Sequence, residues 1–331
     1  MEQLLHIGEH NHITSVLSVY ERASRYDPTR TLDLRNAFAK EMKLRFKELS
    51  KVVVTSIRVN DCFGLKKPAI KLHQMTPAPQ DAFNFARNSQ KVEEFMKWLK
   101  EQEKKGIITV KEYEQIGLSI EGAWTNLYIA DSYKRGIIRA RDEMRAAGMD
   151  IPSMLETGGI AAYLMSGPFH MDRVGVLFMR TYTDLQGITS AMDSIISRIL
   201  AQGMIDGDGP ILLARKLVAA IEGRGMGSLG IVTTTGRFIP AAQRAVLLAR
   251  TEIIRAHHLA MIQEYRNWGV LNIKVRGEWK TAGDDRVCEK CAPLDGQIFD
   301  LDTIENMIPY HPQCRCIALP WIEELQPYYK N

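Results

Sequence analysis

No run of eighteen apolar residues occurs anywhere in the chain, so no membrane-spanning helix is expected. Nothing after Met1-Glu2-Gln3-Leu4-Leu5-His6 resembles a basic stretch followed by an apolar core, so no signal peptide is expected either. Before Cys288 the single cysteine is Cys62, which fits a reducing cytoplasm better than a secreted disulfide scaffold. Internal repeats and low-complexity tracts are lacking. A strong charge of either sign is lacking too: the formal net charge of +4 gives no bulk basic field that would force nucleic-acid binding. What remains, at 45% hydrophobic and 25% charged, is the composition of an ordinary folded protein. Its 331 residues suffice for two or three packed units.

Charge is uneven along the chain. From Asp27 to Lys71 eleven Lys/Arg face five Asp/Glu, so this stretch carries the positive charge and the remainder is slightly acidic. Asp27-Pro28-Thr29-Arg30-Thr31 reads as a turn and capping segment. A helix follows, because apolar residues recur at Leu34, Phe38, Met42, Phe46, Leu49 and Val53 in steps of four and three. Its opposite face carries Lys40, Lys43, Lys47 and Lys51. Arg35 and Arg45 lie nearer the stripe, where long stems can still carry the charge to water. Such a face is either a solvated helix surface or a contact for a phosphate backbone or an acidic protein. No aromatics interleave with the basic residues, so base stacking is not indicated. Lone Cys62 reads as a small buried or half-buried residue.

Further helices are expected from about Pro79 to Lys105, Gly122 to Ala147, Met171 to Leu200, Ile211 to Ile221 and Pro240 to Trp268, each on an apolar set at helical spacing. Lys111 to Ile116 reads as one short helix stopped by Gly117, and Gly203 as the stop of the long helix before it. Asp206-Gly207-Asp208-Gly209-Pro210 lacks the remaining ligands of a calcium loop; Asp208 is the expected N-cap, with Pro210 in the first turn. The glycine-rich run from Gly223 to Gly230 follows a helix and lacks the ending of a phosphate loop, so it reads as a connector. In the last long helix, Leu247, Thr251, Ile254, His258, Met261, Tyr265 and Trp268 form a near-heptad stripe. His257 and His258 are adjacent and cannot share a face, so they are not joint metal ligands; His258 reads as a core or partner-facing residue. After Gly269 the period becomes strand-like, with Ile273, Val275 and Trp279 alternating with charged residues. The expected fold is mainly α. Helical regions at 1–150 and 151–270 lead to a small α+β module at 271–331.

That module holds the densest signal. Cys288-x2-Cys291 and His311-x2-Cys314 are two ligand pairs separated by nineteen residues, close to the roughly 15–20 residue spacing of zinc sites. Cys316 is a fifth candidate. In an extended Cys314-Arg315-Cys316 segment both thiols point to one side, so either His311 or Cys316 is surplus to a tetrahedral site. A structural zinc is the leading reading, with merely buried thiols or disulfides as its alternatives. A catalytic zinc would favour an open position and fewer thiolates. No catalytic residue is identified.

The run from Trp279 to Cys291, the Leu294-Asp295-Gly296 step and the closing His311-Pro312-Gln313-Cys314-Arg315-Cys316 resemble the signature of the phage Mu F-like minor head proteins. Ala249-Arg250-Thr251-Glu252 is similar to that family too, as are Asp27-Pro28-Thr29 with its basic helix and the stretch from Trp124 to Gly136. The resemblance implies a structural, non-enzymatic protein of a tailed phage, inside the head near the portal, present in the host cytoplasm during assembly. It would assist head assembly or genome packaging and ejection. The portal protein, the major capsid protein or scaffold, and packaged double-stranded DNA are the implied partners, and no membrane is. The basic helix, with Arg35, Lys40, Lys43, Arg45, Lys47 and Lys51, is the candidate contact for DNA or portal. A metal-dependent hydrolase or nuclease is the alternative, but no carboxylate and histidine constellation supports it. Adjacent Asp284 and Asp285 are expected to cap a turn or stay solvated. A free zinc-binding regulator of gene expression would need a basic tail. From Trp279 to Asn331 there are five Lys/Arg against nine Asp/Glu.

Overall fold

The computed structural model describes residues 27–65, 85–115, 118–152, 159, 163, 168–223, 231–232, 238–269 and 274–322. The expectations for residues 1–25, for the linker at 66–79, for Phe83, for Gly158 and Gly167, for Arg224 to Gly230 and for Ile273 lie outside them. Seven α-helices dominate the described chain: α1 (Leu32–Arg58), α2 (Phe85–Gly106), α3 (Thr125–Ala146), α4 (Pro168–Ile205), α5 (Pro210–Glu222), α6 (Ala241–Gly269) and α7 (Leu301–Glu305). Two antiparallel pairs, β1 (Val110–Gln115) with β2 (Leu118–Ala123) and β3 (Ile231–Val232) with β4 (Phe238–Ile239), connect helices. Near the C-terminus, β5 (Val275–Lys280) lies between β6 (Ile298–Phe299) and β7 (Ile317–Ile322) in an antiparallel sheet of order β6-β5-β7.

The stripe on α1 is buried along its length, from Leu34 through Phe38, Met42, Phe46 and Leu49 to Val53. Its start is anchored by Asp27. That carboxylate accepts the Thr31 backbone N–H at 3.0 Å, the Thr29 hydroxyl at 2.8 Å and Arg35 Nη2 at 2.6 Å. Arg35 is therefore a buried partner of Asp27, and its charge does not reach water as the sequence suggested. Arg45 is half-buried: its guanidinium lies 4.0 Å from the centre of the Trp124 ring and donates to the Gly106 carbonyl at 2.7 Å.

Four local expectations are corrected. Lys111 to Gln115 do not form a helix but lie within β1, whose register with β2 places Gln115 opposite Leu118; Ile116 and Gly117 lie outside the described residues. The physical reason is the cross-strand pairing along all of β1, which a short segment without a helical stripe adopts in place of a helix. Cys62 is exposed, not buried. Asp208 is not the cap of α5: Gly209 occupies that position, and the buried Asp208 carboxylate instead takes Lys216 Nζ at 2.5 Å. Gly203 does not end α4, which continues to Ile205. A Cβ at Gly203 would lie 2.7 Å from Leu213 Cδ1, so the glycine lets α4 and α5 pack closely.

The helix α6 is buried on nearly every side. Beyond the expected stripe, Glu252, Ile253, Ala256, His257, Ala260, Ile262, Gln263 and Glu264 are also enclosed. A one-stripe amphipathic reading misses this, because α1, α3, α4 and the C-terminal sheet cover different faces. Its first half, with Ala245, Ala249 and Ile253, belongs to the core shared with α1, α4 and α5. Its second half, with Met261, Ile262 and Tyr265, belongs to a core shared with Val275, Trp279, Ile304 and Ile317. Helix α3 runs beside it and contributes Ile129 and Ile137 to the first core, Ala140 and Met144 to the second. At their closest approach Gly136 meets the His257 carbonyl; an added Cβ would lie 2.4 Å from that oxygen and 2.7 Å from Ala260 Cβ.

Two groups of buried polar residues tie the helices together. Glu264 accepts Arg141 Nη1 at 3.0 Å, Trp268 Nε1 at 2.8 Å and the Tyr163 hydroxyl at 2.9 Å. His170 lies 3.4 Å from the same carboxylate and is held by Tyr133 at 3.0 Å and Asn267 at 3.1 Å. Burial alone would raise the Glu264 pKa, but these donors outweigh it and the group stays ionised. Elsewhere, Glu103 on α2 and Asp193 on α4 are buried against each other and hydrogen-bonded. Burial first, and then the neighbouring carboxyl, push Glu103 up to about 9.

Two outcomes are expected. Gly136→Ala should destabilise the protein by about 1–3 kcal/mol in denaturant unfolding, because neither the carbonyl nor Ala260 can retreat without separating α3 from α6; an unchanged midpoint would contradict this close approach. The carboxyl pair sets a pH dependence. Glu103 holds its proton in the folded state up to about 9 but releases it near 4.5 when unfolded, so between those values the folded state binds more protons. Stability should therefore fall as pH rises through that window and level off above it. Glu103→Gln should flatten this slope and be the more stable form at the alkaline end, by about 1–3 kcal/mol. A melting profile parallel to the wild type across the window would refute the retained Glu103 proton.

Candidate metal centre

The C-terminal module begins at β5, where Val275, Gly277 and Trp279 alternate inward as the strand period requires. Gly277 leaves room for Ile304, whose Cγ2 would stand 2.9 Å from a Cβ there. Trp279 is fully buried, with Phe299 and Tyr310 edge-on to its ring. The chain then makes two tight turns of the same kind. The Cys291 N–H donates to the Cys288 carbonyl at 3.0 Å, and the Cys314 N–H to the His311 carbonyl at 3.1 Å. Each turn brings residues three apart onto one side, as the sequence pairs implied. Between them, the Asp295 carboxylate accepts the Thr281 N–H at 2.7 Å and the Thr281 hydroxyl at 3.0 Å. Gly296 takes the left-handed conformation, with φ +78°, that the Leu294-Asp295-Gly296 step needs.

All five sequence-predicted ligands converge. Cys288, Cys291 and His311 place their donor atoms within 4.8 Å of one another, and so do Cys291, Cys314 and Cys316. Cys291 belongs to both groups. The thiols of Cys288 and Cys291 lie 3.2 and 3.3 Å from His311 Nε2. His311 Nδ1 is 2.9 Å from the Pro312 carbonyl, so its proton belongs on Nδ1 and the Nε2 lone pair faces the thiols. That is the tautomer a metal-binding imidazole adopts when a second partner orients it. Cys314 and Cys316 are both buried on the same side, as extended geometry predicts. The hydrogen bond from Cys316 lowers Cys314 to about 5, while the same bond and burial raise Cys316. Burial, and then the nearby thiols, raise Cys291 to about 12. Crowding of thiols with opposed proton affinities is what a bound cation would relieve, since it would favour several thiolates at once. The donor set can thus hold a metal ion.

As expected, Asp284 caps its turn: its Oδ1 accepts the Arg286 backbone N–H at 3.2 Å. It grips Arg315 through two bonds of 2.6 and 2.7 Å and also accepts Arg286 at 3.0 Å. Hydrogen bonding to Arg315 is the main cause that holds its carboxyl well below the usual range. Because Arg315 lies between Cys314 and Cys316, this bidentate pair positions the segment that carries both thiols. Asp285 remains exposed. The two histidines of α6 are core residues. Burial holds His258 near 4, so it is neutral, and its Nε2–H donates to the Ile304 carbonyl at 3.0 Å; burial lowers His257 as well.

The module is fastened to α6 at a second point. The Gln313 N–H donates to Thr251 Oγ1 at 3.2 Å, and Arg250 Nη1 donates to Gln313 Oε1 at 2.8 Å. Two separate sequence motifs, Ala249-Arg250-Thr251-Glu252 and His311-Pro312-Gln313-Cys314, thus meet in space. Residues 194–319 match the family model Phage Mu protein F like protein. The resemblance to phage Mu F-like proteins is thereby shown. No match was found among the curated proteins or the solved structures. The Mu F-like stretch runs from the second half of α4 into β7 and includes all five metal-ligand candidates.

Of the basic residues singled out for DNA or portal contact, Lys40, Lys43, Lys47 and Lys51 are exposed on α1, and Lys51 pairs with Glu48 at 2.6 Å. Arg35 and Arg45 stand apart from that face, held by Asp27 and by Trp124 with Gly106. Sequence reasoning missed Arg250 and Gln313 as a contact pair; their presence in two family-like motifs was the available signal. No described helix is long and apolar enough to cross a membrane.

Metal content of the purified full-length protein checks the centre. About one zinc per chain is expected, and Cys291→Ser should lose it, because that thiol belongs to both ligand groups. Retention in His311→Ala with loss in Cys316→Ser, or the reverse, identifies the surplus residue. Metal content near zero in the reduced wild-type protein would remove the metal reading.

Proposed function

We propose that the chain is a structural minor head protein of a tailed bacteriophage, associated with the portal vertex and assisting head assembly or genome packaging and ejection. The match of residues 194–319 to the Phage Mu protein F like family is the observation that carries this reading, because it covers both the central helix α6 and the metal-ligand cluster. Portal protein, major capsid protein or scaffold, and packaged double-stranded DNA are the partners such a role calls for. Location inside the head, after assembly in the host cytoplasm, follows from the same role.

Zinc is the ion proposed for the cluster, since four or five soft Cys and His donors suit it and a closed set leaves no open position for catalysis. Cys288, Cys291, Cys314 and one of His311 and Cys316 would hold it. Bound there, zinc supplies charge compensation and cross-linking of the two turns. The Asp284–Arg315 pair and the Gln313 contact to α6 would then fix where that cross-linked unit sits. A non-enzymatic role is supported further by Asp284, whose carboxylate is already taken by two arginines and is not offered to a substrate.

Cross-linking mass spectrometry on purified particles and on assembly intermediates tests the assignment. The chain should be recovered in particles, cross-linked to the portal protein. Absence from both mature heads and assembly intermediates would overturn it.

A further inference from the structure

The exposed lysines of α1 do not face open solvent uniformly. Lys40, Lys43 and Lys47 line a cleft of about 740 Å³ that runs between α1 and the first half of α6. The α6 side contributes Arg250, which Gln313 of the His311–Cys314 turn holds in place at 2.8 Å. Between these cations the lining mixes apolar Leu44, Ala242, Val246 and Leu247 with the amides Gln243 and Gln313. Leu44 is 43% exposed and adds apolar surface to the cleft wall among the lysines. Among the described residues Glu222 is the single carboxylate on the lining, beside four cations.

The spacing defines what fits. Lys40, Lys43 and Lys47 fall on one helix face across two turns, about 10 Å. A partner helix with carboxylates at the same spacing can pair with all three, and its apolar stripe then covers Leu44 and Leu247. A nucleic-acid duplex fits less well. It is a convex rod, so its phosphates can reach the lysines only from the rim, leaving the apolar lining uncovered. Lys51, one turn farther along α1, is absent from the lining and is already paired with Glu48.

Building on the assembly role above, we propose that this cleft docks an acidic amphipathic helix of a partner protein. Carboxylates of that helix meet Lys40, Lys43, Lys47 and Arg250, and its apolar side chains enter between α1 and α6.

Fluorescence anisotropy on the purified full-length chain tests this. The probe is a labelled synthetic peptide of about five helical turns, with leucine along one face and glutamate flanking it. Binding should weaken about tenfold or more when Lys43 and Lys47 are both changed to Glu, and when glutamine replaces glutamate in the peptide. Lys51→Glu should leave it unchanged. Lys43 and Lys47 are exposed, and an unaltered melting temperature for the double variant confirms that its fold is intact. The proposal is overturned if the peptide does not bind, if Lys51→Glu weakens it as much as the cleft reversal does, or if a double-stranded oligonucleotide binds in its place with the same dependence on Lys43 and Lys47. These measurements use the isolated chain and particle cross-linking uses the assembled head, so either can fail without the other.

Discussion

Carrying a carboxylate to the centre of a helical body is costly unless several donors meet it there. Glu264 is met by Arg141 from α3, by Trp268 from its own helix and by Tyr163, with His170 of α4 close by. These contacts specify how α3 and α4 approach the second half of α6. Gly136 sets the distance at the middle of the same α3–α6 pair, since only a residue without a side chain can meet the His257 carbonyl there. With α3 and α4 so placed, α6 is enclosed and presents a continuous apolar side to Val275, Trp279 and Ile317. The C-terminal sheet shares its interior with that side, where Met261, Ile262 and Tyr265 join the same core.

The candidate metal centre is linked to the helical body through short polar contacts. Asp284 and Arg315 orient the segment bearing Cys314 and Cys316, and Gln313 reaches Arg250 and Thr251 on α6. The same turn that carries His311 therefore also stations a cation at the basic cleft. Gln313, next in sequence to Cys314, is thus one hydrogen bond from the Arg250 guanidinium that lines the cleft.

Much of this was legible in the sequence where periodicity and spacing act locally. The stripe from Leu34 to Val53, the strand alternation at Val275 to Trp279 and the paired turns at Cys288 and His311 all follow from short-range patterns. What was not legible depended on tertiary surroundings. Lys111 to Gln115 has no decisive period of its own and takes strand form from its pairing with β2. Arg35 carries the same charge as Lys40, yet a buried Asp27 eight residues earlier decides that it turns inward. Asp208 had the right chemistry for a cap but found a lysine. Enclosure of α6 on nearly every side was hidden because its extra faces hold, beside Ile253 and Ile262, mainly alanine, histidine, glutamine and glutamate, which a single stripe of large apolar residues does not count. Convergence of all five ligand candidates was expected from spacing, whereas the hydrogen bond that assigns the His311 tautomer required coordinates.

The two-core burial of α6 also bears on how separable the family-like stretch is. Residues 194–319 include α6 and the sheet but not α3, although α3 lies along α6 and supplies Arg141 to Glu264. Expressed alone, that stretch would uncover an apolar flank and strand a carboxylate in it. A transplantable unit has to bring every neighbour that covers α6, and α1 is one of them, packed on its first half and on Trp124, so a separable unit begins before Leu32. Recombination that exchanged only the family-like tail between chains would be tolerated only where the recipient already carried a matching helix.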